Sequence, residues 1–232
     1  MTTKIDHEPC GDGVRITRLS STDRVLKVPE EIGGLPVTSI GPGILRQSPG
    51  TNGRTLCIPS SVTSVDPDVF DGARGVGAIE YGGELSVFGT FRLVLEWDCV
   101  LRCLNGGRPF EFVFPSRTPM SFPEFDDEMF RRFIGMTPDI ALTRLSEPYG
   151  LTEANRAKYE RYVSDKVVPQ AERAASVGDA AQLRRLLSTG LVSDGDVRRL
   201  MERSVRSGRI AVTSMLMSEL NRRSARRSED SP

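Results

Sequence analysis

The sequence has 232 residues with 31 basic and 31 acidic side chains, and its formal net charge at pH 7 is zero. A neutral chain has no overall electrostatic attraction to nucleic acid or to an anionic membrane. Apolar residues make up 38% and charged residues 27%, which is typical of a folded protein rather than a disordered one. No run of about 18 apolar residues exists, so we expect no segment that spans a bilayer.

The cysteine and histidine content limits redox and metal chemistry. The chain has four cysteines but no C-x-x-C pair, and its single histidine, His7, lies in a polar N-terminal segment. These side chains do not supply a four-ligand zinc site, so we expect free thiols in a reducing compartment. Residues 1–13 contain no apolar stretch of the kind found in signal peptides, and we therefore predict a cytoplasmic location.

A short phrase occurs twice in the first half of the chain. Val37–Ile40 reads Val-Thr-Ser-Ile, and 25 residues later Val62–Val65 reads Val-Thr-Ser-Val. Each copy follows an apolar-x-apolar-Pro element, Leu26–Pro29 or Leu56–Pro59. A period of this size predicts a solenoid, in which each repeat buries its apolar face against its neighbour. The residues that we expect to be buried are Leu26, Val28, Val37, Ile40, Leu56, Ile58, Val62, Val65 and Phe70.

These repeats carry a family resemblance. Residues 12–17 (DGVRIT) followed by residues 26–41 resemble the opening of a BspA-type leucine-rich repeat domain, and residues 56–65 resemble its internal repeat. The family pattern usually continues into an Ala-Phe pair and a Cys, whereas here the Cys is absent. The pair positions are occupied by Ile44-Leu45 and Val69-Phe70. The resemblance covers about residues 12–82 and implies a leucine-rich-repeat fold, but repeat surfaces diverge too much to imply a ligand.

Two β-like runs follow the repeats. Phe91, Leu93, Leu95 and Trp97 share one parity in the run from residue 85 to residue 104. Asn105-Gly106 then predicts a hairpin, because both residues tolerate positive φ. The second run places Phe110, Phe112 and Phe114 on one face. This aromatic row is either a binding patch or the core of the last solenoid turn, and an open solenoid's need for a cap favours the core.

The periodicity changes from β-like to helical after a segment rich in proline. Three prolines lie between Pro115 and Glu124, where we predict a domain boundary that proteases cut early, as they would the tail after Asn221. The predicted fold class is α+β in two modules. Residues 1–116 form a leucine-rich-repeat β-solenoid with a capping hairpin, residues 125–225 form an α-helical ankyrin-like domain, and residues 226–232 form a flexible tail.

The helical part contains a second repeat with an offset of 30 residues. Gly178 matches Gly208, and Leu186-Leu187 matches Leu216-Met217. The first copy resembles the second half of an ankyrin repeat, but the T-P-L-H motif of that family is missing from both copies. We therefore predict ankyrin-like helix pairs rather than an ankyrin domain.

The sequence contains no recognisable catalytic motif. It lacks G-x-S-x-G, H-E-x-x-H and the phosphate-binding G-x-x-x-x-G-K-[ST], and one histidine excludes most triads. Asp126-Asp127-Glu128 could act as paired acid and base, but three carboxylates at a helix start more often complement the helix dipole. We predict no catalytic residue, no cofactor and no metal site.

Arginine is concentrated in the last part of the chain. Residues 184–227 contain eleven arginines opposed by four carboxylates, which gives a local charge of about +7. This charge indicates either a surface for phosphate or an acidic partner, or the solvated face of arginine-rich helices. No aromatic residue interleaves these arginines, which disfavours single-strand recognition. The candidate partner-binding residues are Arg198, Arg199 and Arg203.

The favoured interpretation is a non-enzymatic protein–protein interaction or scaffold module that uses its repeat surfaces to bind a protein partner. The alternatives are binding of nucleic acid or an acidic partner through the arginine-rich helices, and an enzyme of unknown class. The sequence does not identify the partner or the oligomeric state.

Overall fold

The computed structural model describes residues 3–49, 52–88, 98–132 and 136–229. It divides into two compact units, Met1–Gly135 and Met136–Pro232. The first unit contains the β-strands and one helix, and the second unit is helical. The predicted α+β class, with an N-terminal β-solenoid and a C-terminal helical region, is confirmed.

The first unit holds two five-stranded sheets. The first sheet consists of β1 (Lys4–Cys10), β2 (Gly13–Ser20), β4 (Glu31–Ile32), β5 (Leu35–Ile40) and β7 (Ser64–Val65). The second sheet has the order β10-β9-β8-β6-β3 and consists of β3 (Val25–Lys27), β6 (Arg54–Ile58), β8 (Val76–Glu84), β9 (Cys99–Asn105) and β10 (Arg108–Phe114). A 3₁₀ turn, Leu85–Phe88, follows β8.

The chain passes alternately between the two sheets, which makes this unit a solenoid. β2, β5 and β7 pair in parallel in the first sheet, while β3, β6, β8 and β9 pair in parallel in the second. Ser39 pairs with Ser64 and Ile40 with Val65, so the 25-residue period of the sequence is the spacing between stacked strands. All nine residues predicted to form the solenoid core are buried.

An antiparallel hairpin ends the second sheet, as predicted. β9 and β10 pair from Asn105–Arg108 outward, and the two turn glycines, Gly106 and Gly107, have φ values of 58° and 74°. Two consecutive positive φ angles are the signature of a tight turn whose twist matches that of the strands. The Glu84 carboxylate accepts hydrogen bonds from both glycine N–H groups at 2.9 Å. The hairpin turn is thereby tied to the end of β8.

The aromatic row of β10 is core, not a binding patch. Phe110, Phe112 and Phe114 are at most 4% exposed. They pack against helix α1 (Phe122–Arg132). The ring centroid of Phe122 lies 5.1 Å from that of Phe112, and the ring centroid of Phe125 lies 5.4 Å from that of Phe114. These edge-on contacts include α1 in the first unit.

The unit boundary therefore differs from the predicted one. We expected a connector from Pro115 to Glu124, but the structure places that segment inside the first unit, which extends to Gly135. The three prolines mark a turn onto the aromatic face rather than a linker. The predicted strand residues from Phe91 to Trp97 lie outside the described residues.

The second unit consists of α2 (Pro138–Ser146), α3 (Glu153–Val163), α4 (Val167–Val177), α5 (Ala180–Ser188), α6 (Asp194–Arg206) and α7 (Ile210–Glu229). Thr137 caps α2, with Pro138 at the first helical position, and Thr152 caps α3, because a threonine side chain can accept a hydrogen bond from a free N–H group at a helix start. α7 continues to Glu229, so residues 226–229 are helical, whereas we predicted a flexible tail from residue 226.

The 30-residue repeat corresponds to two helical pairs, α4–α5 and α6–α7. The N–H of Asp179 donates to the carbonyl of Ala174 at 2.9 Å, and the N–H of Arg209 donates to that of Ser204 at 2.9 Å. Gly178 and Gly208, with φ of 84° and 65°, hold the left-handed conformation that ends the first helix of each pair. The two pairs turn in the same way, which confirms the repeat but not its ankyrin-like character.

The solenoid core gives a stability prediction. We expect Val62→Asp to destabilise the protein by at least about 3 kcal/mol, because it buries an unpaired charge. Val62 is fully buried, while its neighbour Thr63 is exposed, so Thr63→Asp is the matched control and should change the stability by less than about 0.5 kcal/mol. Chemical denaturation followed by circular dichroism measures both. Equal stability of the two variants would contradict the solenoid core.

Proteolysis tests the position of α1. The segment from Pro115 to Glu124 contains Met120 and Phe122, which are 3% and 1% exposed. A protease must unfold a buried segment locally before it can cut there. We therefore expect limited proteolysis to spare this segment, in contrast to the expectation from its prolines alone. The masses of the earliest fragments provide the measurement, and an early fragment that ends between these residues would show that α1 does not hold the segment.

Candidate interaction surfaces

The outward face of the second sheet carries a row of small apolar side chains. Strand pairing aligns one residue from each of its five strands, of which the two end residues are exposed and the three central ones partly buried: Val25, Thr55, Ala78, Val100 and Val113. Val25 and Val113, at the two ends of the row, are 48% and 43% exposed. No side chain in the row is larger than valine. The row therefore forms a flat apolar strip across the sheet.

A row of charged and polar residues runs beside the apolar strip. Two positions away on each strand, the same pairings align Lys27, Cys57, Glu80, Arg102 and Glu111, with β10 running in the opposite direction. Arg102 lies between two carboxylates, with its Nε 2.7 Å from Oε2 of Glu111 and its Nη1 3.4 Å from Oε1 of Glu80. The hydrogen bond that Arg102 donates to the Glu111 carboxylate raises the pKa of Arg102. Exposed pairs of this kind add little stability, and here they place three charged side chains next to one another.

The thiols differ in their surroundings along these strands. All four cysteines are free. Burial raises the pKa of Cys99 and of Cys103 to about 12, so both stay protonated at neutral pH. Cys57 faces outward, and its pKa is raised first by burial and then by the Glu80 carboxylate, which lies 3.7 Å away. None of these three has the low pKa of a nucleophilic cysteine.

The structure distributes the three predicted arginines over the exposed surface of α6. Arg199 forms an ion pair with Asp196, and Nη1 of Arg203 lies 3.4 Å from Oε1 of Glu172 on α4. Arg198 has no ion pair within the residues that the structure describes. Arg199 and Arg203 lie one helical turn apart, whereas Arg198 points about 100° away from Arg199. Their charges are therefore partly compensated.

A groove lies between α5 and α7. Its volume is about 550 Å³, and it is lined by Arg184, Leu187, Ser188, Ser214, Met215, Ser218, Glu219 and Arg222. Arg222 donates three hydrogen bonds to the Glu219 carboxylate, at 2.7 to 2.9 Å. Arg184 has no ion pair among the described residues. Arg184 and Arg222 are both among the eleven arginines of residues 184–227, but their shared position in one groove follows only from the packing of α5 against α7.

The three carboxylates that the sequence places side by side are separated in the structure. Asp126 is buried, Asp127 is exposed, and Glu128 pairs with Arg131 at 2.5 Å, so the acidic triplet does not face solvent as one group. Within the described part of the chain, no three His, Cys, Asp or Glu side chains are placed to hold a metal ion. No helix in that part is long and apolar enough to cross a membrane.

Comparison with known proteins gives one structural likeness. No protein-family model matches the chain, and no curated protein is significantly similar to it. Among solved structures, the chain is similar to a leucine-rich repeat protein of T. pallidum, with 28% identity over 34% of this chain and a TM-score of 0.28. The matched region spans 36% of that protein. Because this TM-score is low, the fold is assigned from the strand pairings and not from this likeness.

Proposed function

We propose that this protein is a non-enzymatic protein–protein interaction module that binds a protein partner through the outward face of the second sheet. The observation that carries the proposal is the apolar strip from Val25 to Val113 beside the row of charged and polar residues from Lys27 to Glu111. Protein interfaces combine an apolar centre with charged residues toward the rim, and charges select the partner. We assign the unit to the BspA-type leucine-rich repeats as part of the same proposal.

The backbone of this face favours binding. Hydrogen bonds hold the five strands in register, so the side chains of the strip are fixed before a partner arrives. A preformed surface loses little conformational freedom on binding, which improves the affinity. Valine and threonine are also stiff at χ1, so ordering them costs little further entropy.

The size of the face bounds the interaction. Five strands about 4.8 Å apart span about 19 Å, and the two rows lie about 7 Å apart, so they enclose roughly 130 Å². A stable interface buries about 800 Å² on each partner. The two rows therefore supply the centre of an interface, and the partner extends over neighbouring residues of the sheet.

Substitutions of two exposed valines, one in the apolar strip and one outside it, test this proposal. We expect Val113→Glu to abolish binding of the partner, because the substitution places a charge in the apolar strip and binding would have to desolvate that charge. Val177→Glu is the matched control, since Val177 is 63% exposed and lies in the second unit. Tagged protein and both variants are used for capture from lysate of the source organism, and the bound proteins are quantified by mass spectrometry. Bound proteins retained equally by both variants would refute the assigned surface.

The alternative proposal is that the arginine-rich helices steer an acidic partner or nucleic acid. It is favoured by the local charge of about +7 in residues 184–227 and by Arg198, which has no ion pair among the described residues. Arg198, Arg199 and Arg203 are the proposed contact residues. Opposite charges on a partner would mainly increase the association rate, and salt would screen that effect.

Charge reversal tests the steering proposal. We expect the triple variant Arg198→Glu, Arg199→Glu and Arg203→Glu to slow association with a captured partner about tenfold at low salt and to flatten the dependence on ionic strength. The single variant Arg198→Glu changes the charge without breaking an ion pair, and should show the same trend to a smaller extent. Stopped-flow or surface-binding kinetics at several salt concentrations provide the measurement. Identical salt slopes for all three proteins would exclude electrostatic steering by this surface.

A further inference from the structure

The last helical pair exposes side chains at positions that the preceding pair buries. Ala175 and Leu187 of α4–α5 are 5% and 4% exposed. Thirty residues later, at the equivalent positions of α6–α7, Val205 and Met217 are 60% and 52% exposed. Apolar character is kept at both positions although neither is covered. Ile210, which begins α7, is 83% exposed.

The second pair contacts the first on this side. Leu187 and Ser188 of α5 line the same groove as Met215 and Glu219 of α7. On the first helices of the two pairs, Glu172 of α4 forms its ion pair with Arg203 of α6, at 3.4 Å. The side of α4–α5 that carries these residues is therefore the side on which α6–α7 stacks.

The opposite side of the first pair faces α2. Nη2 of Arg185 donates to the carbonyl of Asp139 and to the hydroxyl of Thr143, both on α2, and both at 2.5 Å. Each pair in the stack therefore has one side toward the preceding helices and one side toward the following pair. In α6–α7 the following side is the one that carries Val205 and Met217.

The charge pattern of this side repeats as well. The residue equivalent to Glu172 is Glu202, which is exposed on α6. The Glu202 carboxylate has no hydrogen bond or ion pair within the part of the chain that the structure describes. The free side of α6–α7 thus combines an unpaired carboxylate with apolar residues. The equivalent side of α4–α5 has the same arrangement, and there the carboxylate pairs with an arginine and the apolar residues are covered by the next helical pair.

We infer that this side, defined by Glu202, Val205, Ile210 and Met217, is a docking site for an α-helical hairpin of another protein that presents a basic side chain to Glu202. The inference rests on the proposed function insofar as it takes the protein to be a binding module, and it names a second surface and the class of its partner. Charge complementarity selects the occupant, because the Glu172–Arg203 ion pair shows which charge the equivalent carboxylate accepts from a stacked pair.

The expected affinity follows from the size of the site. A helix of 13 residues such as α6 is about 20 Å long, and two packed helices lie about 10 Å apart. The side of the pair therefore offers roughly 400 Å² to a partner, which is at the low end for specific complexes. We expect a transient complex with a Kd of about 10 to 100 μM.

A synthetic peptide that covers residues 193–229 provides the probe, since it copies the pair that stacks on the equivalent side within the chain. We expect this peptide, labelled at its N-terminus, to bind the full chain in fluorescence anisotropy. The full-chain variant Glu202→Arg should bind it at least tenfold more weakly, because two arginines would then face each other. Glu31→Arg, an exposed carboxylate of the first unit, is the matched control and should leave binding unchanged.

A charge swap then distinguishes a specific contact from general attraction. A peptide with Arg203→Glu should bind the Glu202→Arg chain as well as the original pair binds, and it should bind the unaltered chain poorly. Absence of binding at 1 mM by a peptide that circular dichroism shows to be helical, or equal loss in Glu31→Arg, would overturn the inference. Self-association of the chain in sedimentation that Glu202→Arg abolishes would also overturn it, because the occupant would be a second copy. None of these results depends on Val113, so failure here and failure of the sheet surface are separable.

Discussion

The first unit depends on one row of buried side chains that crosses every strand of the second sheet. Strand pairing aligns Leu26, Leu56, Ile79, Leu101 and Phe112, and none of them is more than 3% exposed. Burial of each such side chain stabilises the fold by about 1.5–3 kcal/mol. The register that buries this row also places the next residue of every strand outward, so the core and the binding face are set by the same pairing.

A buried arginine donates hydrogen bonds to loop carbonyl groups that the strands do not pair. Arg54 begins β6 and is fully buried, with its guanidinium donating to the carbonyls of Ser21 and Pro49 at 2.8 Å and to the Ser48 hydroxyl at 3.0 Å. Loops between solenoid strands have carbonyl groups that no strand can pair, and buried carbonyls require donors. Burial lowers the pKa of Arg54, which is offset in part by Asp23. Its donors are directed into the fold, so it serves the solenoid rather than a ligand.

The sequence predicts the features that depend on local pattern. The period from Val37 to Val62 and the cap at Thr137 each follow from a few neighbouring residues, and the structure has both. The predicted hairpin also forms, but its turn residues are Gly106 and Gly107, one position later than the Asn105-Gly106 pair. The position of α1 depends instead on contacts of Phe122 and Phe125 with rings in β10. Prolines give the same local signal in a linker and in a turn onto a core, so the boundary was placed too early in the chain.

The candidate surfaces depend even more on long-range pairing. A one-residue change in register would bury Val100 and expose Leu101, so the apolar strip requires knowledge of which residues pair across five strands. The strands are also irregular, with a register shift between Arg54 and Thr55. Similarly, the count of arginines gives the charge of a segment, but not that Asp196 and Glu172 compensate two of the three candidates.

Both units are built by repetition, and their ends determine where binding is available. The solenoid ends in a hairpin whose aromatic row is covered by α1, which leaves its outward sheet face as the exposed surface. The helical stack ends differently. Gly190 ends α5, but the equivalent position of the second pair, 30 residues later, is Leu220, and α7 continues past it to Glu229. Arg223 on that extension donates to the carbonyl of Val192 at 2.7 Å and to Asp194 at 2.9 Å. The extension thus secures the start of α6 without covering Val205 or Met217, so the stack is held in place while its last side stays accessible.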